Sequence, residues 1–428
     1  MRYVGLDVHK HVVQVCVLDE QGNRVWQRRI DCTREALENF ARSQLNEEDR
    51  LALEVTTNTW AVVEILEPFV ERIVVGNPLK TKAIAEAKIK TDKVDAEVLA
   101  QLLRCDYLPT VWCPDGATRQ LRKLTIIQAG LNKDRTRIKN RLHAILAQRL
   151  IKPPMATLFS QRGMQWLREV ELPEDDRLIV DGQLAVLDSL DRQLEQLNTK
   201  LAKLAHQRHQ VRLLMTLPGV DFPCAQALWA AIGDLERFQD GEHLASYLGL
   251  VPSTYQSAKT QRHGSITKAG RGHARWMLTQ AAQHLDRHPG PLGGFFRRLA
   301  RRKNRNVAAT ATARKLVNIA YLMLKNNEPY RYALPEPTQR KLATLDRRAG
   351  APKRRYERVP GIPRQRCEPG TRARNVRSLP QVYERHELPE ACSPEQLSAG
   401  ESRILNEQGA TEHHQQIQSP QRKITRRG

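Results

Sequence analysis

The chain has 428 residues, enough for two or three domains that each bury a core, and 69 Lys+Arg against 47 Asp+Glu give it a formal charge of +22. So basic a balance points to a polyanionic partner, nucleic acid above all, and no segment has the apolar length of a membrane span. Seven scattered cysteines without a CxxC pair or zinc-type spacing argue against a zinc finger and suit a reducing cytoplasm, and MRYVGLDVHK carries no export signal.

The first hundred residues read as mixed α/β. RYVGLDV, HVVQVCVL and RVWQRRI are rich in β-branched residues and DEQGN supplies a turn, which predicts an antiparallel meander. A helix (REALENFARSQL), a strand (RLALEV), a helix from near Trp60, a strand (RIVVG) and a last helix (KTDKVDAEVLAQLL) follow. Three strands, helix, strand, helix, strand, helix is the order of the ribonuclease H fold. In the last helix Val94, Val98, Leu99, Leu102 and Leu103 recur at helical spacing, and Asp92 sits where an N-cap belongs.

From Thr118 the pattern is helical until Pro153 and Pro154 break it. The next long helix carries Leu187, Leu190, Leu194, Leu197, Leu201 and Leu204 as a heptad seam, open to two uses: an intramolecular antiparallel hairpin or self-association. LPGV at Leu217 is similar to a helix-hairpin-helix turn, whose amides face a phosphate backbone, although an ordinary helical corner has the same letters. Beyond Pro335 basic, Pro- and Gln-rich sequence predicts a disordered tail that adds non-specific nucleic-acid affinity. The expected division is an α/β domain over 1–115, a helical coiled-coil region over 116–210, a mainly α domain over 211–333 and a basic tail over 334–428.

Four carboxylates stand out against this frame. Asp7 belongs to the first strand, central in such a sheet, where an unpaired carboxylate is costly. Glu54 ends a strand expected beside it, and Asp92 and Asp95 are three apart at the start of a helix that crosses the same end. Singly they read as a strand end, a pre-turn residue and helix caps. Together they form a cluster whose like charges need a cation, and hard oxygen ligands suit Mg²⁺ or Mn²⁺. Two such ions would serve phosphoryl transfer at a phosphodiester. His9 and Lys10 stay outside this set, since a lone histidine near a strand end is more often a surface or packing residue.

GLDVHK, LEVTTNTW, KTDKVDAEVLAQLL, LPGV, GLVPSTYQSAKTQRHGSITKAGRGHAR and ARKLVNIAYLMLKNNEPY, in this order up to about Tyr330, resemble the DEDD transposases of the insertion-sequence (IS) 110 family and the related Piv DNA invertases. The resemblance implies a RuvC-like domain holding Asp7, Glu54, Asp92 and Asp95, a coiled coil, and a C-terminal transposase domain with a serine nucleophile. It also implies an oligomer with sites assembled from different subunits, an element-encoded guide RNA, and a bacterial cytoplasmic, nucleoid-associated setting. Counting back from Ile266-Thr267-Lys268 places the nucleophile at Ser257. Here the sequence departs from the family pattern: Gln256 replaces a partner serine, and Ala258 and Lys259 replace glycines. Ser253 and Ser265 remain rivals. Lys259, Arg262, His263, Lys268, Arg271 and Arg275 crowd the same segment as candidate phosphate contacts. The reading is a Mg²⁺-dependent, RNA-guided DNA recombinase. Its rivals are a RuvC-like hydrolytic nuclease that needs no Ser257, and a basic packaging protein whose acidic residues are merely caps.

Overall fold

The computed structural model describes residues 1–84, 91–257, 260–352, 358–362 and 371–426. The chain divides into two compact units, Met1–Asp115 and Gly116–Gly428.

The first unit is a five-stranded mixed sheet: β1 (Tyr3–Val8), β2 (Val12–Leu18), β3 (Arg24–Asp31), β4 (Arg50–Glu54) and β5 (Arg72–Gly76) in the order β3-β2-β1-β4-β5. β1, β2 and β3 are the predicted antiparallel meander, while β4 and β5 add in parallel to β1. Alternation along the strands splits their side chains between two cores. Val4, Leu6, Val13, Val15, Leu51 and Leu53 face α1 (Arg34–Gln44) and α2 (Thr59–Leu66). Tyr3, Cys16, Leu18 and Ala52 face α4 (Asp92–Arg104), which follows a short α3 (Pro78–Ile84).

One residue sets how closely α4 docks. A Cβ built on Gly5 would stand 1.9 Å from the Ala96 carbonyl oxygen and 2.7 Å from the Ala100 nitrogen, so only glycine allows this helix to lie directly on β1.

The second unit begins with α5 (Gly116–Gln148), α6 (Gln161–Glu169) and α7 (Glu174–His206). Side-chain pairs Gln128–Asn198, Arg135–Asp191, Arg141–Gln183 and Arg149–Asp176 run in opposite senses along α5 and α7, so the two helices form an antiparallel hairpin within one chain. Leu187, Leu194 and Leu201 of the heptad seam are buried in it. Of the two uses the sequence left open, the intramolecular one is what the structure contains.

Next come α8 (His209–Leu214), α9 (Phe222–Ile232), α10 (Gly241–Tyr247), a hairpin of β6 (Pro252–Ser257) and β7 (Thr260–Ile266), α11 (Gly272–Gln283), α12 (Pro291–Arg302) and α13 (Arg305–Asn326). The sequence predicts a mainly helical domain here and does not point to this hairpin. Its strands are short, polar and mostly exposed, so they lack the apolar alternation that marks a half-buried strand.

Composition predicts disorder over 334–428, and this expectation is corrected. The described residues there form α14 (Pro335–Ala349), β8 (Thr371–Val376), α15 (Leu379–Arg385), α16 (Ala399–Glu407), α17 (Thr411–Ile417) and β9 (Gln421–Arg426). Leu342, Leu345, Leu379, Val382 and Tyr383 enter the same core as α9, α11 and α13, and the Tyr383 hydroxyl donates to the Tyr330 carbonyl at 2.6 Å. Lys341 is half-buried beside them. Its ammonium donates to the Leu217 and Val220 carbonyls at 2.7 and 2.8 Å, and burial pulls its pKa down to about 8. The LPGV turn is thus tied to α14, and a Cβ on Gly219 would meet the Ala281 carbonyl oxygen at 2.5 Å. The corner alternative accounts for these contacts.

Among the described residues no helix is long and apolar enough to cross a membrane.

Candidate carboxylate site and serine hairpin

In the first unit, Leu6 pairs with Leu53 in the parallel ladder, so Asp7 and Glu54 are the next residues at the carboxyl ends of adjacent central strands. Alternation with Tyr3, Gly5 and Ala52 sets both on the face covered by α4. Gly5 lies against Ala96, and the two residues onward to Asp7 span about 6.6 Å of strand, at about 3.3 Å each. The four residues back to Asp92 span about 6 Å of helix, at about 1.5 Å each, which brings the start of α4 level with Asp7.

The N-cap of α4 is Thr91, whose hydroxyl accepts from the Val94 amide, and Asp92 is the first helical residue. The expected cap at Asp92 is therefore corrected by one position, and its carboxylate is released from capping.

The structure brings Asp7, His9 and Asp92 together. His9 Nε2 is 3.0 Å from Asp7 Oδ2 and 3.5 Å from Asp92 Oδ1, and one ligand atom from each of the three lies within 4.8 Å of the others. Asp7 is the most enclosed, its side chain 20 % exposed against 62 % for Asp92. Burial raises the Asp7 pKa first; His9 lowers it, and the charges of Asp92 and Asp95 raise it again, leaving it above the ordinary carboxylate value. Asp95 is half-buried one turn along, and Glu54 half-buried on the neighbouring strand. The 4.8 Å group contains neither of these two.

Local bonds hold the loops that carry the site. Asn58 Nδ2 donates to the His9 carbonyl at 3.3 Å, and the Thr59 hydroxyl donates to the Glu54 carbonyl at 3.1 Å. Two carboxylates and an imidazole at these distances fit a divalent cation, which would relieve the repulsion that Asp7 feels. His9 is the residue that the sequence analysis set aside; it lies one residue past the end of β1, and its place beside Asp7 was the available signal.

In the second unit, Ser257 is exposed and pairs with Thr260 as the last pair of the β6–β7 hairpin. Of its rivals, Ser253 donates to the Ser265 carbonyl at 3.2 Å within the hairpin, and Ser265 lines a cavity of about 710 Å³ with Glu242, Asn306 and Arg314. Arg262 and Lys268 are exposed. Arg271 Nε donates to the Tyr247 hydroxyl at 3.2 Å. Arg275 Nη1 donates to the Leu248 and Ala269 carbonyls, each at 2.8 Å, so this arginine clamps the loop before α11. Lys259 lies outside the described residues, as does the side chain of His263.

Two family models match. The DEDD transposase model of the IS110 family, described as a transposase, covers residues 4–151, and the model described as transposase IS116/IS110/IS902 family covers 211–295. The chain belongs to the IS110 family of transposases. It is 25 % identical over 350 residues to a probable family 20 transposase of Pseudomonas aeruginosa, covering 77 % of this chain and 98 % of the relative. It is 22 % identical over 354 residues to the transposase for insertion sequence element IS1111A of Coxiella burnetii, covering 77 % and 92 %. The pilin gene-inverting protein of Moraxella bovis is 25 % identical over 351 residues, covering 77 % and 97 %. As an IS110-family transposase the protein is a DNA-transposing enzyme, and the first family model spans all four predicted carboxylates and His9.

Proposed function

We propose that this transposase cuts and rejoins DNA through a divalent-metal site on Asp7, Glu54, Asp92 and Asp95, with His9 beside it, and a covalent intermediate on Ser257. The observation that carries the metal half is the meeting of Asp7, His9 and Asp92 at the carboxyl end of the central strands. The strand order β3-β2-β1-β4-β5 supports the assignment of the first unit to the ribonuclease H or RuvC-like fold.

Mg²⁺ or Mn²⁺ held there would polarise a phosphodiester oxygen. The chain's own groups do the rest. Asp7 and Asp92 fix the cation position, and Asp7, raised in pKa by burial, gains most from neutralisation. Ser257 Oγ attacks phosphorus; the Oγ–P bond forms as the P–O bond to the leaving strand breaks. The serine proton passes to a base, and the leaving oxygen takes one up. Attack on the serine ester by an incoming strand's hydroxyl reverses the bond change, so joining needs no external energy source. A serine hydroxyl is a weak nucleophile near neutral pH, so the base that takes its proton is an essential part of the step.

Exposed Arg262 and Lys268 on a carboxylate-free stretch support phosphate contacts there, since no Asp or Glu occurs between Glu242 and Asp286. Guidance by an element-encoded RNA, a homo-oligomeric assembly and Mg²⁺ as the resident ion rest on the family resemblance.

The test is strand exchange between element-end and target DNA with purified protein, the element's non-coding RNA and Mg²⁺. Asp7→Asn and Ser257→Ala should each abolish joined product. Metal-dependent nicking that Ser257→Ala leaves intact would favour the hydrolytic nuclease.

A further inference from the structure

The second unit carries one tryptophan that is exposed: Trp276 in α11, at 56 %. The other tryptophans of the chain are half-buried. An indole of this size left in water at a helix surface forfeits a large burial gain, so its surroundings bear on what covers it.

A helical side chain leans back over the turn before it, toward positions three and four residues earlier. For Trp276 these are His273 and Gly272. The His273 ring stacks on the indole at 6.4 Å between centroids and 20° between planes, and burial holds the imidazole below its ordinary pKa. Gly272 contributes no side chain; a Cβ there would meet only Arg275 Nη2, at 3.4 Å. The indole is therefore backed by one flat ring and left open toward the glycine.

The approach is also fixed. Gly270 has φ +66°, and a Cβ there would stand 1.9 Å from the Tyr247 carbonyl oxygen. With the Arg275 clamp this holds the loop against α10 and presents exposed Lys268 beside the start of α11. Cations at Lys268 and Arg271, and no carboxylate from His243 to Leu285, make the surround complementary to a polyanion and repel an acidic protein surface.

We propose that Trp276, backed by His273, is a stacking platform for one unpaired base of DNA, with Lys268 and Arg271 taking flanking phosphates. This deepens the DNA-recombining reading and rests on it, because strand exchange requires bases to leave their duplex partners. Aromatic stacking suits such a task, since every base offers a π-face and binding tolerates sequence.

The test uses the full chain without divalent metal, so that it is independent of cleavage and of Ser257. Anisotropy of a labelled single-stranded DNA oligonucleotide is measured against its duplex and against RNA of the same sequence, for wild type, Trp276→Ala, Trp276→Phe and Gly272→Leu. Trp276→Ala should weaken single-strand DNA binding by about fivefold to a hundredfold, the range expected for loss of one stacked base, with duplex binding changed by less than about twofold. Trp276→Phe should keep most of the affinity, and Gly272→Leu should lose it by covering the indole. Single-strand affinity unchanged in Trp276→Ala, an equal fall for single strand and duplex, or a loss confined to RNA would each overturn the proposal. Failure here with strand exchange intact would leave the carboxylate and serine assignment standing.

Discussion

Gly5→Ala tests how the fold builds the site. The new Cβ would start 1.9 Å from the Ala96 carbonyl oxygen, and opening that gap to the 3.4 Å of ordinary contact demands a retreat of α4 by about 1.5 Å. Both nearest atoms are backbone, so no side chain can rotate away. Overpacking of this kind costs about 1–3 kcal/mol or more, against about 0.5–1 kcal/mol gained by removing a strand glycine. The same retreat would carry Asp92 from 3.5 Å to about 5 Å from His9. Urea denaturation should therefore show a lower midpoint, and calorimetric Mn²⁺ titration an affinity reduced by about tenfold or more, as a ligand moves out of reach. Gly130→Ala is the control: its Cβ would meet nothing within 4 Å, and alanine in the α5 interior should stabilise by about 0.8–1 kcal/mol. An unshifted midpoint and unchanged Mn²⁺ affinity in Gly5→Ala would refute the reasoning.

Asp7→Asn should raise the thermal midpoint of the metal-free protein while abolishing recombination. The folded-state pKa of Asp7 lies above its unfolded value, so its ionised form opposes folding above that pKa, and the cost vanishes as pH falls below the unfolded value; a lower midpoint at pH 7.5 would contradict this. For Lys341 the sign is reversed. Its folded pKa of about 8 lies below the ordinary 10.5, so its contribution to stability should rise with pH between these values, a slope that Lys341→Met removes. Comparing denaturation midpoints at pH 7.5 and 9.5 in the two proteins reads it. Truncation after Ala333 should unfold the second unit, because Leu342, Leu345 and Leu379 belong to its core and each Leu→Ala alone costs about 2–5 kcal/mol. A cooperative unfolding transition that survives truncation would restore the disordered tail.

The first unit was legible because its strands and helices carry clean periods of two and of three to four. Once β1 and β4 are adjacent, Asp7 and Glu54 must share an end, and Gly5 admits the helix that brings Asp92. His9 lies just past the end of β1, where a lone histidine has many uses, and only the meeting of three side chains gives it one. The cap moved to Thr91 because threonine and aspartate both suit that position. The folded segment after Ala333 was hidden by composition. In α14 the buried set is Pro335, Thr338, Leu342, Leu345 and Asp346, a helical stripe in which three of the five are not aliphatic, set among arginines. The β6–β7 hairpin was illegible for a related reason, since it buries too little to leave an apolar pattern.

The most direct test of the central claim is a denaturing gel for covalent protein–DNA adducts, with wild type, Ser257→Ala and Asp7→Asn on element-end DNA with the element's non-coding RNA and Mg²⁺. An adduct in wild type that is lost in both variants is the predicted result. Metal-dependent nicks without any adduct, unchanged in Ser257→Ala, would contradict the account and make the protein a hydrolytic nuclease.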